Sequence, residues 1–271
     1  MMVENHNCIL EPEGFLEVIH AHTDRFPAGE QQDAQEFLVY LLDVIHEDLN
    51  RVKVEPKARE AKEKTESRNL STLALEESAK VSWKNYLIDN KSIVVDIFQG
   101  QIKSLLRCID CNSSSSTFDP VMYFSLPFPE NMEADKKIGI HELFREYTKT
   151  ERLESRMHCK NCERKTLYDK KIDIWKAPNI LIVHFKRFKF TKGAGGAHTS
   201  SKICNEVEYP VKNFDISEFV NGFQRIKPIY NLFAVCVPST PLTLAARWRP
   251  RGGSLPLPGL PPGHQTMAAT R

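Results

Sequence analysis

Two Cys-x-x-Cys pairs, Cys108/Cys111 and Cys159/Cys162, constrain this chain more than any other feature of its sequence. Thiolates two residues apart converge on one cation, and two such pairs supply the four sulfurs of a closed tetrahedral zinc site. One pair alone is equally a redox dithiol, and disulfides or ordinary buried thiols remain open readings of the spacing. Matched pairs in a chain with only seven cysteines favour one structural zinc held by Cys108, Cys111, Cys159 and Cys162. The cofactor expected is therefore zinc of structural kind, with no open coordination position.

Charge narrows the partners. A formal net charge of +2 over 271 residues gives no electrostatic reason to expect nucleic acid or an anionic membrane, and a zinc-ribbon nucleic-acid binder is the weakest of the readings. No apolar run nears the roughly 20 residues of a membrane span, and the first residues lack the apolar core of a secretory signal. The expected compartment is a reducing one, cytoplasmic, with endosome association or the nucleus as alternatives.

Apolar periodicity then orders the chain. Gly14 to His20 has a short helical pattern, near Cys8, His6, His20 and His22. Cys8 has no small-residue turn or helix start beside it to activate a thiol. From Gln31 to about Val52, Leu38, Leu41, Leu42, Ile45, Leu49 and Val52 recur at steps of three and four, which predicts a helix with one buried face. Its first turn carries Asp33, Gln35 and Glu36. The bland reading is a capped, solvated helix start; the sharper one is a pair of carboxylates for the guanidinium of a peptide tail.

Residues 53 to 82 mix charges with few large apolar groups and read as a solvated helix or a mobile insertion, with little capacity to join a core. Ser92 to Arg107 is rich in β-branched residues and leads into the first cysteine pair. Thr117 to Pro129 reads as a strand, Ile140 to Tyr147 as a short helix, Asn179 to Phe190 as a central strand and Gly193 to Gly196 as a turn. His184 within the central strand is expected to be a packed strand residue. Residues 237 to 271 hold seven of the chain's 16 prolines, four arginines and no lysine or acid, which reads as a disordered tail.

Taken in order, these segments resemble the ubiquitin-specific proteases, a family of papain-like thiol isopeptidases. Gln31-Gln-Asp-Ala-Gln-Glu-Phe-Leu38 is similar to the family's glutamine-aspartate helix, and Ile97-Phe-Gln-Gly-Gln101 to the strand entering its fingers. The two cysteine pairs resemble its finger zinc ribbon, and Ile182 to Phe188 and Tyr230 to Val235 two of its palm strands. The charges before Trp83 and Phe118-Asp-Pro120 look most like the endosomal branch. The resemblance implies a hand-like α/β (α+β) fold: a partial thumb at 1–52, the charged insertion at 53–82, fingers and palm at 83–236, and the tail at 237–271. It also implies ubiquitin or ubiquitinated proteins as partners, with Asp33, Gln35 and Glu36 holding the ubiquitin tail.

The family's reaction, thiol-dependent hydrolysis of ubiquitin isopeptide bonds, needs a cysteine in an Asn-Thr-Cys-Phe-like segment and a histidine in a Gly-His-Tyr segment. Neither is present; Cys8 has the wrong context, and His264 follows Gly263 but precedes Gln265. The expectation is a deubiquitinase-like domain without catalytic residues and without activity as this chain stands. The alternative is a non-catalytic zinc-ribbon module that binds ubiquitin as scaffold or decoy.

Overall fold

The computed structural model describes residues 12–27, 32–52, 74–130, 132–133, 136–192, 198–236 and 266–270. Among these the helices are α1 (Glu13–His22), α2 (Ala34–Asp48), α3 (Leu75–Asp89), α4 (Ile93–Phe98) and α5 (Ile140–Thr148). The first strands are β1 (Gly100–Cys108), β2 (Ser114–Val121), β3 (Phe124–Leu126), β4 (Ile138–Gly139), β5 (Glu151–Arg152), β6 (Met157–Cys159) and β7 (Arg164–Thr166). They are followed by β8 (Tyr168–Lys176), β9 (Ile180–Phe185), β10 (Phe188–Lys192), β11 (His198–Lys202), β12 (Val207–Glu208), β13 (Phe214–Asp215), β14 (Ile229–Cys236) and β15 (Thr266–Thr270).

Two sheets matter for function. One, in the order β2-β1-β8-β5, is a long antiparallel ribbon that carries Cys108 and Cys111 at its far end, where the separate hairpin β6-β7 brings the second pair; the other runs β13-β14-β15-β9-β3. At the root of the ribbon, a side chain on Gly100 would meet the Lys176 carbonyl at 2.6 Å, so only glycine lets β1 and β8 pass this closely.

The core lies between the second sheet and α5. Ile140, Leu143 and Phe144 line one face of α5, as their spacing predicts, and pack with Phe124, Phe185, Phe214 and Tyr230. Phe144 stacks on Phe219 at 5.2 Å. β9 is buried on both sides: Leu181, Val183 and Phe185 face this core, while Ile182 packs with Leu42 of α2 and Val94 of α4. That agrees with the central strand read from its unbroken apolar run. Arg187, fully buried, ends it; Nη1 donates to the carbonyls of Ile203 at 2.9 Å and Asn205 at 2.8 Å.

Local chemistry corrects several expectations. The tail read as disordered from 237 to 271 supplies β15 at Thr266–Thr270, which pairs with both β14 and β9. All seven prolines of that tail precede Gln265, so its last residues can donate to two ladders. Ile97 and Phe98 end helix α4 and do not begin a strand, because Ser92 Oγ accepts the Val95 amide at 3.3 Å and starts a helical turn despite the β-branched residues. The charged stretch is helical from Leu75, as one of its two readings had it, but Ser78 and Ala79 of α3 are buried, so this part of it joins the packing. Lys176 sits 3.8 Å over the Trp83 ring of this helix. The expected strand at 117–129 is broken at Met122-Tyr123 into β2 and β3. The expected turn at Gly193 to Gly196, Cys8, His6 and His264 lie outside the described residues.

Candidate functional site

The cysteine site is built from two matching turns. In the first, the Asn112 amide donates to the Cys108 carbonyl at 3.0 Å; in the second, the Glu163 amide donates to the Cys159 carbonyl at 2.8 Å. Asn112 and Glu163 both take left-handed backbone, φ 58° and 55°, which folds each second cysteine back toward the first. β1 brings in Cys108 and the hairpin β6-β7 brings in Cys159.

The sulfurs interleave. Cys108 Sγ lies 3.8 Å from Cys162 Sγ, Cys111 Sγ 3.7 Å from Cys159 Sγ, and all four fall within 4.8 Å of one another. A disulfide brings sulfurs to about 2 Å. Four thiolates at about 2.3 Å from a tetrahedral cation stand about 3.8 Å apart. The donor set therefore fits one zinc-sized ion and could hold it; among the described residues no other such cluster of cysteine, histidine and acid occurs.

Hydroxyls surround the cluster, at Thr166 Oγ1 3.1 Å from Cys108 Sγ and Ser113 Oγ 3.0 Å from Cys111 Sγ. A hydrogen bond from Tyr168, with the Cys162 amide, pulls the Cys159 thiol down to about 5. A hydrogen bond from Ser113 brings Cys111 to about 7. Cys162, which hydrogen-bonds Cys111, is pushed up to about 12. Four thiolates brought this close would repel one another, and a dication would relieve that repulsion. Sequence spacing found the four clustered cysteines but not Ser113, Thr166 and Tyr168 beside them, although Ser113 follows Cys111 by only two residues.

The start of α2 forms the second candidate region. Asp33 is the helix cap: its Oδ1 accepts the Gln35 amide at 2.8 Å and the Glu36 amide at 3.4 Å. Glu36 Oε1 receives Arg25 Nη2 at 3.0 Å, with both side chains more than half exposed. The bland reading of this turn is thus present in full, and Arg25, which apolar periodicity gave no reason to single out, belongs to it. Arg25 also lies over the rings of Phe26, at 6.0 Å, and Tyr40, at 5.8 Å.

Below that turn, a row of polar residues crosses the second sheet. Ser125, His184, Thr266 and Cys236 are register partners on β3, β9, β15 and β14. Ser125 Oγ lies 3.0 Å from His184 Nδ1. Burial pushes the His184 imidazole down, and the charge of Asp33 opposes this. Burial, then the same Asp33 charge, pushes the Cys236 thiol up. His184 and Cys236 are two strands apart, about 10 Å at the backbone, too far for the imidazole to take the thiol proton. Cys204 is exposed, with the Lys202 carbonyl 3.8 Å from its sulfur. His20 and His22 are exposed on α1. No helix among the described residues is long and apolar enough to cross a membrane.

Comparison with known proteins agrees with this architecture. The family profile for ubiquitin carboxyl-terminal hydrolase matches residues 1–240. Ubiquitin carboxyl-terminal hydrolase 2 of Gallus gallus is 34% identical over 231 residues, which cover 84% of this chain and 60% of that protein. Its Homo sapiens counterpart is 33% identical over 231 residues, covering 84% of this chain and 36% of that protein. Ubiquitin carboxyl-terminal hydrolase 21 of Bos taurus is 32% identical over 237 residues, covering 84% of this chain and 41% of that protein. The chain thus spans 60% or less of the length of these three relatives. A mixed α+β fold, matched by this profile over most of its length, makes the chain a member of the ubiquitin carboxyl-terminal hydrolase family, with the papain-like fold of the ubiquitin-specific proteases.

Proposed function

We propose that this chain is a zinc-stabilised ubiquitin-specific protease domain that binds ubiquitin or ubiquitinated proteins and does not itself cleave them. The observation that carries the second half is the separation of thiol from base. Outside the metal cluster, the described thiols are Cys204 and Cys236, and neither is hydrogen-bonded to an imidazole. Acyl transfer needs a thiolate within reach of a base that a third group orients. His184 is held instead by Ser125. Binding alone leaves the isopeptide barrier almost untouched.

Cys108, Cys111, Cys159 and Cys162 would hold one zinc, which fastens the far ends of β1, β6 and β7 together and supplies no reactive centre. Asp33, Gln35 and Glu36 would receive the tail of ubiquitin, the two carboxylates through its arginines. The exposure of the Glu36 carboxylate supports the scaffold or decoy reading, in which the chain occupies ubiquitin without processing it.

A fluorogenic ubiquitin C-terminal amide tests the proposal. The purified chain is expected to bind ubiquitin and to give no turnover above the uncatalysed rate. Turnover that persists through purification and disappears in Cys8→Ala, Cys204→Ala or Cys236→Ala would overturn it and name the nucleophile.

A further inference from the structure

Between β13 and β14 the chain crosses beside the root end of β8. Val220 is bridged to Ile174, and the Asn221 amide donates to the Ile174 carbonyl at 2.8 Å. Gly222 then lies so close to β8 that a side chain there would collide with the Trp175 carbonyl. Gln224 returns to the same place, its Nε2 donating to the Trp175 carbonyl at 3.1 Å. Pro228 is buried, and its carbonyl accepts the Ile216 amide at 3.1 Å. The loop 221–227 is thus fastened at its start, in its middle and just past its end.

What this fastened loop shows to solvent is apolar. Phe223 is 83% exposed and Ile226 67%, the two most exposed large hydrophobic side chains among the described residues. Because Gly222 and Gln224 are both held against β8, the ring between them is kept from turning under the loop. Arg225 and Lys227, both exposed, flank Ile226, and no acid follows Glu218 in the chain. The acids just before the loop are engaged elsewhere: Asp215 Oδ1 accepts the Ser217 amide at 2.8 Å, and Glu218 Oε1 takes Arg145 Nη2 at 3.2 Å. Asp215 is held below the ordinary carboxylate range first by its hydrogen bonds with Ser217, with the Lys227 charge a lesser cause.

We propose that the 221–227 loop is a membrane-contact site, at which Phe223 and Ile226 enter the interface of an anionic bilayer while Arg225 and Lys227 meet its phosphates. Charge complementarity selects this partner, since two cations stand beside the two apolar groups with no acid among them. Size selects it too. A stable protein partner covers about 800 Å² of each surface, more than a short loop offers, whereas a bilayer interface admits protruding apolar side chains to a depth of about 5–10 Å. Long basic side chains beside them keep their heads at the headgroup level. Each cation near an anionic surface strengthens binding about fivefold, so two give a weak, reversible contact that salt screens. It is a contact on the surface, and nothing in it spans the bilayer.

The test floats the purified full chain at low salt with vesicles of phosphatidylcholine, either alone or mixed with phosphatidylserine. The wild type should partition onto the mixed vesicles, and about 25-fold less onto the neutral ones, at about fivefold for each of two cations. Arg225→Gln with Lys227→Gln should lose the same factor on the mixed vesicles. Phe223→Ser with Ile226→Ser should lose about tenfold or more. These side chains are exposed, so the far-UV circular dichroism of both double variants should match that of the wild type. Phe223→Trp gives a reading that does not depend on them: the emission it adds should shift to the blue on mixed vesicles and be quenched by bromine on the lipid chains. A tryptophan there that neither shifts nor is quenched overturns the proposal. So does partition that both double variants leave unchanged, which would place the binding on other cations of the chain. Self-association that the Phe223→Ser, Ile226→Ser variant abolishes, without binding to vesicles, also overturns it and gives the loop to a second copy of the chain.

Discussion

The guanidinium of Arg25 lies 3.0 Å from the Glu36 carboxylate, so the chain presents its own arginine to a group proposed to receive one from ubiquitin. Exposed pairs of this kind contribute about 0–1 kcal/mol. Arg25→Ala should therefore strengthen ubiquitin binding by up to about fivefold, measured by titration at low salt. Unchanged affinity would mean that Glu36 does not touch the ubiquitin tail.

Asp33 separates capping from recognition. Losing the cap in Asp33→Ala should cost about 0.5–2 kcal/mol of stability, read from a denaturant midpoint. Asp33→Asn keeps a side-chain acceptor but no charge, so its stability should stay near wild type. If the carboxylate also pairs with a ubiquitin arginine, the Asn variant loses affinity while remaining as stable; affinity unchanged in a folded Asn variant confines Asp33 to the helix cap.

Metal analysis of the purified chain is expected to give about one zinc per molecule. Cys108→Ser should abolish that content and increase proteolysis near the β6-β7 hairpin, since the four sulfurs lie within 4.8 Å of one another, close enough to share one ion. A variant that keeps its full zinc would place the metal elsewhere.

Glu163 occupies the left-handed conformation that Asn112 occupies in the twin turn, but glutamate has less tolerance for it than asparagine. Glu163→Gly should stabilise the protein by about 0.5–1 kcal/mol, and Asn112→Ala should destabilise it. Denaturant midpoints of the two variants moving in the same direction would contradict this.

Asp173 should set part of the acid limb of stability. Burial alone would raise its pKa, but hydrogen bonds and charge from Lys171, at 2.8 Å, and Lys103, at 3.0 Å, outweigh burial and hold it below the ordinary value. A depressed carboxylate contributes fully above its unfolded pKa, about 4, and loses that contribution as pH falls through the lower folded value. Asp173→Asn should cost about 3 kcal/mol at neutral pH, the lower end for a broken buried pair, and flatten the stability profile below about pH 4. An acid limb identical to wild type would exclude the carboxylate as its source.

What the sequence made legible follows the physics of each signal. The helix α5 repeats apolar residues at helical spacing and buries them, and the four cysteines declare their geometry through spacing alone. α2 was legible as a helix, but it ends at Asp48, short of Val52, and of its expected buried face only Leu42 is buried while Ile45 and Leu49 are exposed. α4 was hidden because its β-branched residues favour strands, and one hydroxyl, that of Ser92, decides otherwise. β15 was hidden because a proline-rich approach masks five residues whose structure comes from two neighbouring ladders. Arg25 was invisible for another reason: a surface ion pair leaves no periodic trace, and its partner lies eleven residues away.

The ribbon has a mechanical consequence. β1 and β8 pair from Gln101/Lys176 to Cys108/Tyr168, a reach of about 27 Å for eight residues at 3.4 Å each. They are pinned at the root, where Gly100 admits no side chain, and clasped at the tip by the cysteines. Such a pair behaves as a cantilever with two clamps. Releasing the distal clamp would free the tip to splay while the anchored end and the core beneath it keep their shape, so a metal held there would govern the stiffness of the ribbon and leave the second sheet unaltered.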